Sequence, residues 1–64
     1  MYAVVIRDDF ENPADYDKCR KEFFETLPNN VIEYGMREQF DVDCEDDSNE
    51  ACIADDIFGR YEWK

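Results

Sequence analysis

The chemistry available to this chain of 64 residues rests almost entirely on carboxylates. Nine of them, Glu38, Asp41, Asp43, Glu45, Asp46, Asp47, Glu50, Asp55 and Asp56, fall within residues 38–56, and no lysine or arginine stands between Arg37 and Arg60. An ionised carboxylate only accepts hydrogen bonds. A run of them can hold a hard cation, act as general base, or face a positive surface, and each use asks for its own spacing.

The spacing for calcium fails. An EF-hand loop needs glycine at its sixth position and glutamate at its twelfth. Begun at Asp41 it has Asp46 and Cys52 there, and begun at Asp43 it has Ser48 and Ala54. Only a loose divalent site over residues 45–47 stays open, and no resident metal or cofactor is expected. The chain has no histidine, so no side chain titrates near neutrality at its ordinary value, and no Ser-His-Asp or Cys-His pair can form. No glycine-rich phosphate loop occurs. Cys19, Cys44 and Cys52 lack zinc spacing and read as small buried apolar groups, with a Cys44–Cys52 disulfide as the alternative.

That leaves the surface. Eighteen acids against seven bases give a net charge of −11, whereas solubility needs a magnitude of only about 2 to 8. Like charges crowded on a small chain repel one another. The same field opposes direct binding to a phosphate backbone and attracts a cationic partner.

The elements that must position these acids come next. Residues 32–44 alternate: Ile32, Tyr34, Met36, Glu38, Phe40, Val42 and Cys44 at even places, Glu33, Gly35, Arg37, Gln39, Asp41 and Asp43 at odd ones. One straight strand of that length would run about 43 Å, too long for a compact chain with a radius of gyration of about 11 Å. A hairpin over residues 31–45 fits. Parity then selects a three-residue loop, Arg37-Glu38-Gln39, pairing Met36 with Phe40, Tyr34 with Val42 and Ile32 with Cys44 on one apolar face. A long strand bent at Gly35 is the rival.

Residues 2–7, Tyr-Ala-Val-Val-Ile-Arg, read as a central strand because they are apolar on both faces. Residues 8–11 read as a loop. Asn12 and Pro13 cap a helix running to Leu27, before Pro28, with Tyr16, Cys19, Phe23, Phe24 and Leu27 as its buried stripe. Asp17–Lys21, Lys18–Glu22 and Lys21–Glu25 lace its solvated side. Asp47 or Ser48 caps a second helix that buries Ile53, Ala54, Ile57 and Phe58 and shows Asp55 and Asp56 outward. Gly59 stops it or weakens it, and residues 60–63 form a last strand or prolong it.

The order predicts one small α+β domain over residues 1–64, β-α-β-β-α(-β), a ferredoxin-like miniature with both helices on one face of the sheet. Glu33, Asp41, Asp43 and Glu45 then line the open face, joined by Asp46, Asp47, Asp55 and Asp56. With no span near the ~18 apolar residues of a membrane helix and no signal-peptide pattern, the expected compartment is the cytoplasm.

The opening Met-Tyr-Ala-Val-Val-Ile, followed by Asp8 and Asp9, is similar to the start of Cas2-type and VapD-type ribonucleases. The likeness covers about nine residues. It implies a ferredoxin-like fold and metal-dependent hydrolysis with Asp8 and Asp9 at the end of the first strand. The basic residues of those families are missing here.

The carboxylate surface points elsewhere, to a small acidic protein that occupies the basic, nucleic-acid-binding surface of a partner. Asp41 and Asp43 lie ~6.6 Å apart along one edge of the pleat. Duplex DNA carries a charge per ~1.7 Å, so mimicry needs the second row of Asp46, Asp47, Asp55 and Asp56. In size and composition this is the strategy of phage or mobile-element inhibitors of restriction or CRISPR enzymes. The alternatives are an acidic adaptor or regulatory subunit, with homodimerisation through a sheet edge or the Tyr61–Trp63 end, and the nuclease.

Overall fold

The structure, a computed structural model, describes residues 1–35 and 38–64. Three strands and two α-helices follow in the order β1 (Tyr2–Ile6), α1 (Asp15–Thr26), β2 (Val31–Ile32), β3 (Gln39–Asp43) and α2 (Asn49–Phe58). Short 3-10 turns occupy Arg7–Asp9 and Pro28–Asn30. The sheet runs β1-β3-β2 with both pairings antiparallel. β3 is therefore the middle strand. β1, expected at the centre, is an edge: among the described residues it pairs with β3 alone.

Local chemistry stops both helices where the residues suggest and starts the second there. α1 begins at Asp15, two residues after the expected start, with Ala14 at its N-cap and no side-chain cap. The Asn12 side chain accepts the Ala14 N–H at 3.1 Å, and the Asn12 backbone oxygen accepts that of Asp15 at 2.9 Å. Pro13 opens the turn leading into α1 at no cost, since its missing N–H had no partner to lose. Leu27 closes α1 with a 2.7 Å bond to the Phe23 carbonyl, and Pro28 turns the chain away. Ser48, not Asp47, caps α2, its hydroxyl accepting the Ala51 N–H at 3.1 Å. α2 ends at Phe58. Gly59 follows in a right-handed conformation, so it is a stop without being a left-handed cap.

The hairpin departs from expectation by three residues. Val31 pairs with Val42 and Ile32 with Asp41, in place of Tyr34 with Val42 and Ile32 with Cys44; the expected Met36–Phe40 pair lies outside the described residues. Gly35 explains the shift. Its φ of +76° is the left-handed region that glycine enters without strain, so the extended backbone of β2 is broken before the expected loop. Gln39, expected in the loop, is the first residue of β3 and pairs with Ile6. The new register also reverses the parity of β2. Val31 shares the core face with Val42, while Ile32 joins Asp41 on the other.

One cluster makes the core: Val5, Phe40, Val42 and Cys44 from the sheet side, Tyr16, Cys19, Phe23 and Leu27 from α1 and its end, Ala51, Ala54 and Ile57 from α2, and Phe10. Phe40 has no exposed surface and packs its ring against Tyr16 and Phe23 at 5.7 and 5.8 Å between centroids. Phe10, expected in a loop, is equally buried. It meets Tyr16 and Tyr61 edge-on and Trp63 at 4.3 Å. Residues 60–63 neither prolong α2 nor form a full strand. Trp63 makes a single antiparallel bridge to Phe10, flanked by Glu11 N–H to Glu62 O at 3.0 Å and Lys64 N–H to Asp9 O at 2.9 Å.

The polar side of α1 is more than a solvated face. Lys21–Glu25 forms as expected at 3.9 Å, but Lys18 turns to Asp15 at 4.0 Å. Asp17 pairs with Arg7 at 3.2 Å, Glu22 with Arg60 and the Tyr61 hydroxyl, and Arg20 with Glu33. The Arg7 guanidinium also lies 4.6 Å from the Tyr16 ring centroid, tying the end of β1 to α1.

Truncating a buried phenylalanine removes about 3 to 5 kcal/mol, and a chain of this size has only about 3 to 10 kcal/mol in total. Phe10→Ala should therefore remove about half of the stability or more, read as a large drop in the urea midpoint. Phe24→Ala, at a half-buried position, should cost far less. Equal midpoints would remove Phe10 from the core.

Candidate functional site

The pleat of β3 decides what faces outward. With Phe40 and Val42 in the core, Gln39, Asp41 and Asp43 stand on the opposite face. Asp41 is at its centre, between Val4 of β1 and Ile32 of β2. Tyr2 and Ile6 lie diagonally across from it on β1, and Tyr34 approaches from beyond β2.

This face was expected to be acidic and solvated. It is instead apolar and aromatic around one carboxylate. Tyr2 is 58% exposed, Tyr34 55%, Val4 44% and Ile6 36%, whereas Asp41 is 2% exposed. The reason lies in β1 and β2: Tyr2, Val4, Ile6 and Ile32 all project to the side that β3 gives to its acids. A carboxylate among them loses water and must find donors. The Tyr2 hydroxyl donates to Oδ2 and the Gln39 amide to Oδ1 at 3.4 Å. The Tyr2 hydrogen bond holds the Asp41 carboxyl below its ordinary value against the pull of desolvation, with Gln39 and the Tyr34 hydroxyl acting in the same direction. The Tyr2 phenol is pushed up by the same contact. Among the described residues no lysine or arginine pairs with Asp41.

The other expected site residues scatter into three settings. Glu33 pairs with Arg20, accepting from its Nε at 3.1 Å, and so is spent on α1. Asp46 pairs with the Met1 ammonium, which lowers its carboxyl and raises the ammonium. Asp43, Glu45, Asp47, Asp55 and Asp56 are exposed. Asp43 opposes Tyr2 and continues the open face toward residues 45–47. Asp47 there adopts φ +61°, which aspartate tolerates better than most residues. Asp55 and Asp56 lie on the outer side of α2. The eight acids thus do not form one continuous row. Tyr2, Val4, Ile6, Ile32 and Tyr34 are the surface residues that a search for charge passes over; the signal for them was a strand apolar on both faces beside a sheet with helices on one side.

Other chemistry finds less support in geometry. Asp8 and Asp9 are exposed on the 3-10 turn after β1. Among the described residues no three Cys, Asp or Glu side chains converge around a point where a cation could be held. All three cysteines are free, which sets aside the Cys44–Cys52 pairing, and Cys52 is exposed where burial was expected. Burial pushes the Cys19 thiol up to about 12 and raises that of Cys44, leaving both protonated and poor nucleophiles. No helix among the described residues is long and apolar enough to cross a membrane. Comparison with protein-family models, curated proteins and solved structures finds no match in any of the three. The face must be interpreted from its own residues.

A folded-state value below the open-chain value of about 3.9 means that Asp41 adds stability above that pH, lost as pH falls through the folded value. Tyr2→Phe removes the main donor, so the Asp41 midpoint should rise, read from its carboxyl carbon shift by NMR. A wild-type midpoint above the ordinary value would show that desolvation wins and that the Tyr2 bond does not hold the charge.

Proposed function

We propose that this chain is a small acidic binding protein that docks on the basic surface of a partner protein. The observation that carries the reading is the exposed apolar face of Tyr2, Val4, Ile6 and Tyr34 around Asp41, continued by the exposed carboxylates of Asp43, Glu45 and Asp47. Contact surfaces combine an apolar, aromatic centre with a polar rim. The net charge of −11 steers cationic partners toward the chain and repels phosphate backbones. An arginine inserted between Tyr2 and Tyr34 would meet the Asp41 carboxylate in a site already stripped of water.

A surface that normally holds nucleic acid is the most specific form of this partner, and a phage or mobile-element inhibitor of restriction or CRISPR enzymes is the corresponding role. Size and charge support it. An acidic adaptor or regulatory subunit has its own support, because the apolar face offers contacts that a nucleic-acid backbone does not imitate. The fold bears on the nuclease alternative only through its order. β1 and β2 run alike on either side of β3, which supports a ferredoxin-like arrangement lacking a full fourth strand.

Capture of partners from a host lysate, followed by elution in a salt gradient, tests the proposal. Asp43→Lys with Asp47→Lys should weaken the captured complex by about tenfold or more, with the far-ultraviolet dichroism unchanged. Added salt should weaken it too, since screening at physiological strength shortens to about 8 Å. Release by DNA or RNA would favour the mimic, and indifference to them the adaptor. Binding that ignores both salt and the paired substitutions would overturn the docking surface itself.

A further inference from the structure

The composition of β1 belongs to a central strand, yet β1 lies at the edge. Residues 2–6 carry no charge and no proline, two of the devices by which edge strands avoid pairing with other chains. The opposite edge is closed by brevity, because β2 is two residues long. The hydrogen-bond phase shows what the β1 edge offers. Met1 and Cys44 exchange backbone bonds at 2.6 and 2.8 Å, and the Arg7 N–H reaches Glu38 O at 3.0 Å. The pattern alternates along an antiparallel pair, so Ala3 and Val5 bond to β3, while Tyr2, Val4 and Ile6 turn both backbone groups outward. Among the described residues nothing pairs with them. The C-terminal segment bonds to Asp9 and Glu11, beyond the end of β1.

We propose that the β1 edge pairs with the β1 edge of a second copy of this chain, antiparallel about a two-fold axis at Val4, joining two three-stranded sheets into one. The occupant is a second copy because the edge complements itself. In this register Val4 faces Val4 of the second copy and Tyr2 faces Ile6, so each outward N–H meets an outward carbonyl. Exposed apolar side chains, Tyr2, Val4 and Ile6, meet their like across the seam, and no carboxylate is buried by the pairing. At the ends, Met1 with Asp46 comes opposite Arg7 of the second copy, setting a carboxylate near a guanidinium. A five-residue edge buries less than the ~1,200 Å² of a standard interface, so the dimer is weak and reversible. It brings together two chains of −11, so salt strengthens it. The edge argument stands apart from the docking surface, and the two respond to salt in opposite directions.

Sedimentation of the full chain at rising concentration, in low and high salt, tests the pairing. The average mass should climb from 7.7 kDa toward twice that value, and further in high salt. Val4→Pro removes an outward N–H and no bond to β3, so it should remain monomeric with unchanged dichroism. A second variant covers the case in which that proline unfolds the chain. Paired Cα atoms at the two-fold would lie about 5.5 Å apart, within disulfide reach. Val4→Cys in a Cys52→Ser background should therefore crosslink on oxidation at least several-fold faster than Glu25→Cys in the same background. A monomer at every concentration and salt, a dimer untouched by folded Val4→Pro, or crosslinking no faster than the Glu25 control would each overturn the proposal.

Discussion

A pleated strand sends neighbouring side chains to opposite faces, and the burial of Phe40 and Val42 makes that rule decisive here. Both have no exposed surface. Together with Val5 and Val31 they commit one face of the sheet to the aromatic and aliphatic core contributed by α1 and α2. Asp41 must then stand on the other face, in the middle of the middle strand. Nothing about its charge places it there. What it meets is set by β1 and β2, whose outward residues are tyrosine, valine and isoleucine. The buried carboxylate is thus a consequence of the core, and the Tyr2 hydroxyl makes the consequence tolerable.

The charges divide by residue type. Among the described residues arginines bridge elements: Arg7 to Asp17 and Glu38, Arg20 to Glu33, Arg60 to Glu22. The two lysines of α1 pair locally along it, Lys18 with Asp15 and Lys21 with Glu25. The planar fork of arginine suits the first task, and the flexible ammonium adds little to the second. Over residues 41–56 the one cation in contact, among the described residues, is the Met1 ammonium on Asp46. The excess charge is therefore concentrated where β3 ends and α2 begins, beside the apolar face and not across it.

Helices proved legible because their signals are local. Asn12, Pro13, Pro28 and Ser48 each act through a bond or a lost donor within a few residues. The stripe of Tyr16, Cys19, Phe23 and Leu27 follows from 3.6 residues per turn. The core half of β3 was legible for the same reason, through a period of two. β2 was not, because Val31 and Ile32 are both apolar and either can face inward; only the pairing of Val31 with Val42 decides between them. The place of β1 depends on which strands pair, which no pattern within β1 records. The burial of Phe10 was not legible in its loop, because the residue that covers it, Trp63, comes from the far end of the sequence. The acids beyond Asp43 are exposed as the pattern suggests, but their spread over a loop and a helix was not legible in it. The apolar partners of Asp41 lay in strands assigned to the interior.

The same misplacement gives the net charge a second meaning. A surface with Tyr2, Val4, Ile6 and Tyr34 exposed beside an unpaired strand edge invites association with any similar surface. In a chain of ordinary charge it would be an aggregation site. At −11 every encounter between copies begins with repulsion, which falls off over about 8 Å at physiological salt. An encounter with a cationic surface begins with attraction over the same range. On the proposed docking, charge would filter partners before the apolar face contacts any of them, and the apolar face would supply the short-range contact that charge alone does not. On that proposal the carboxylates beyond what solubility requires would guard a surface more adhesive than an ordinary one.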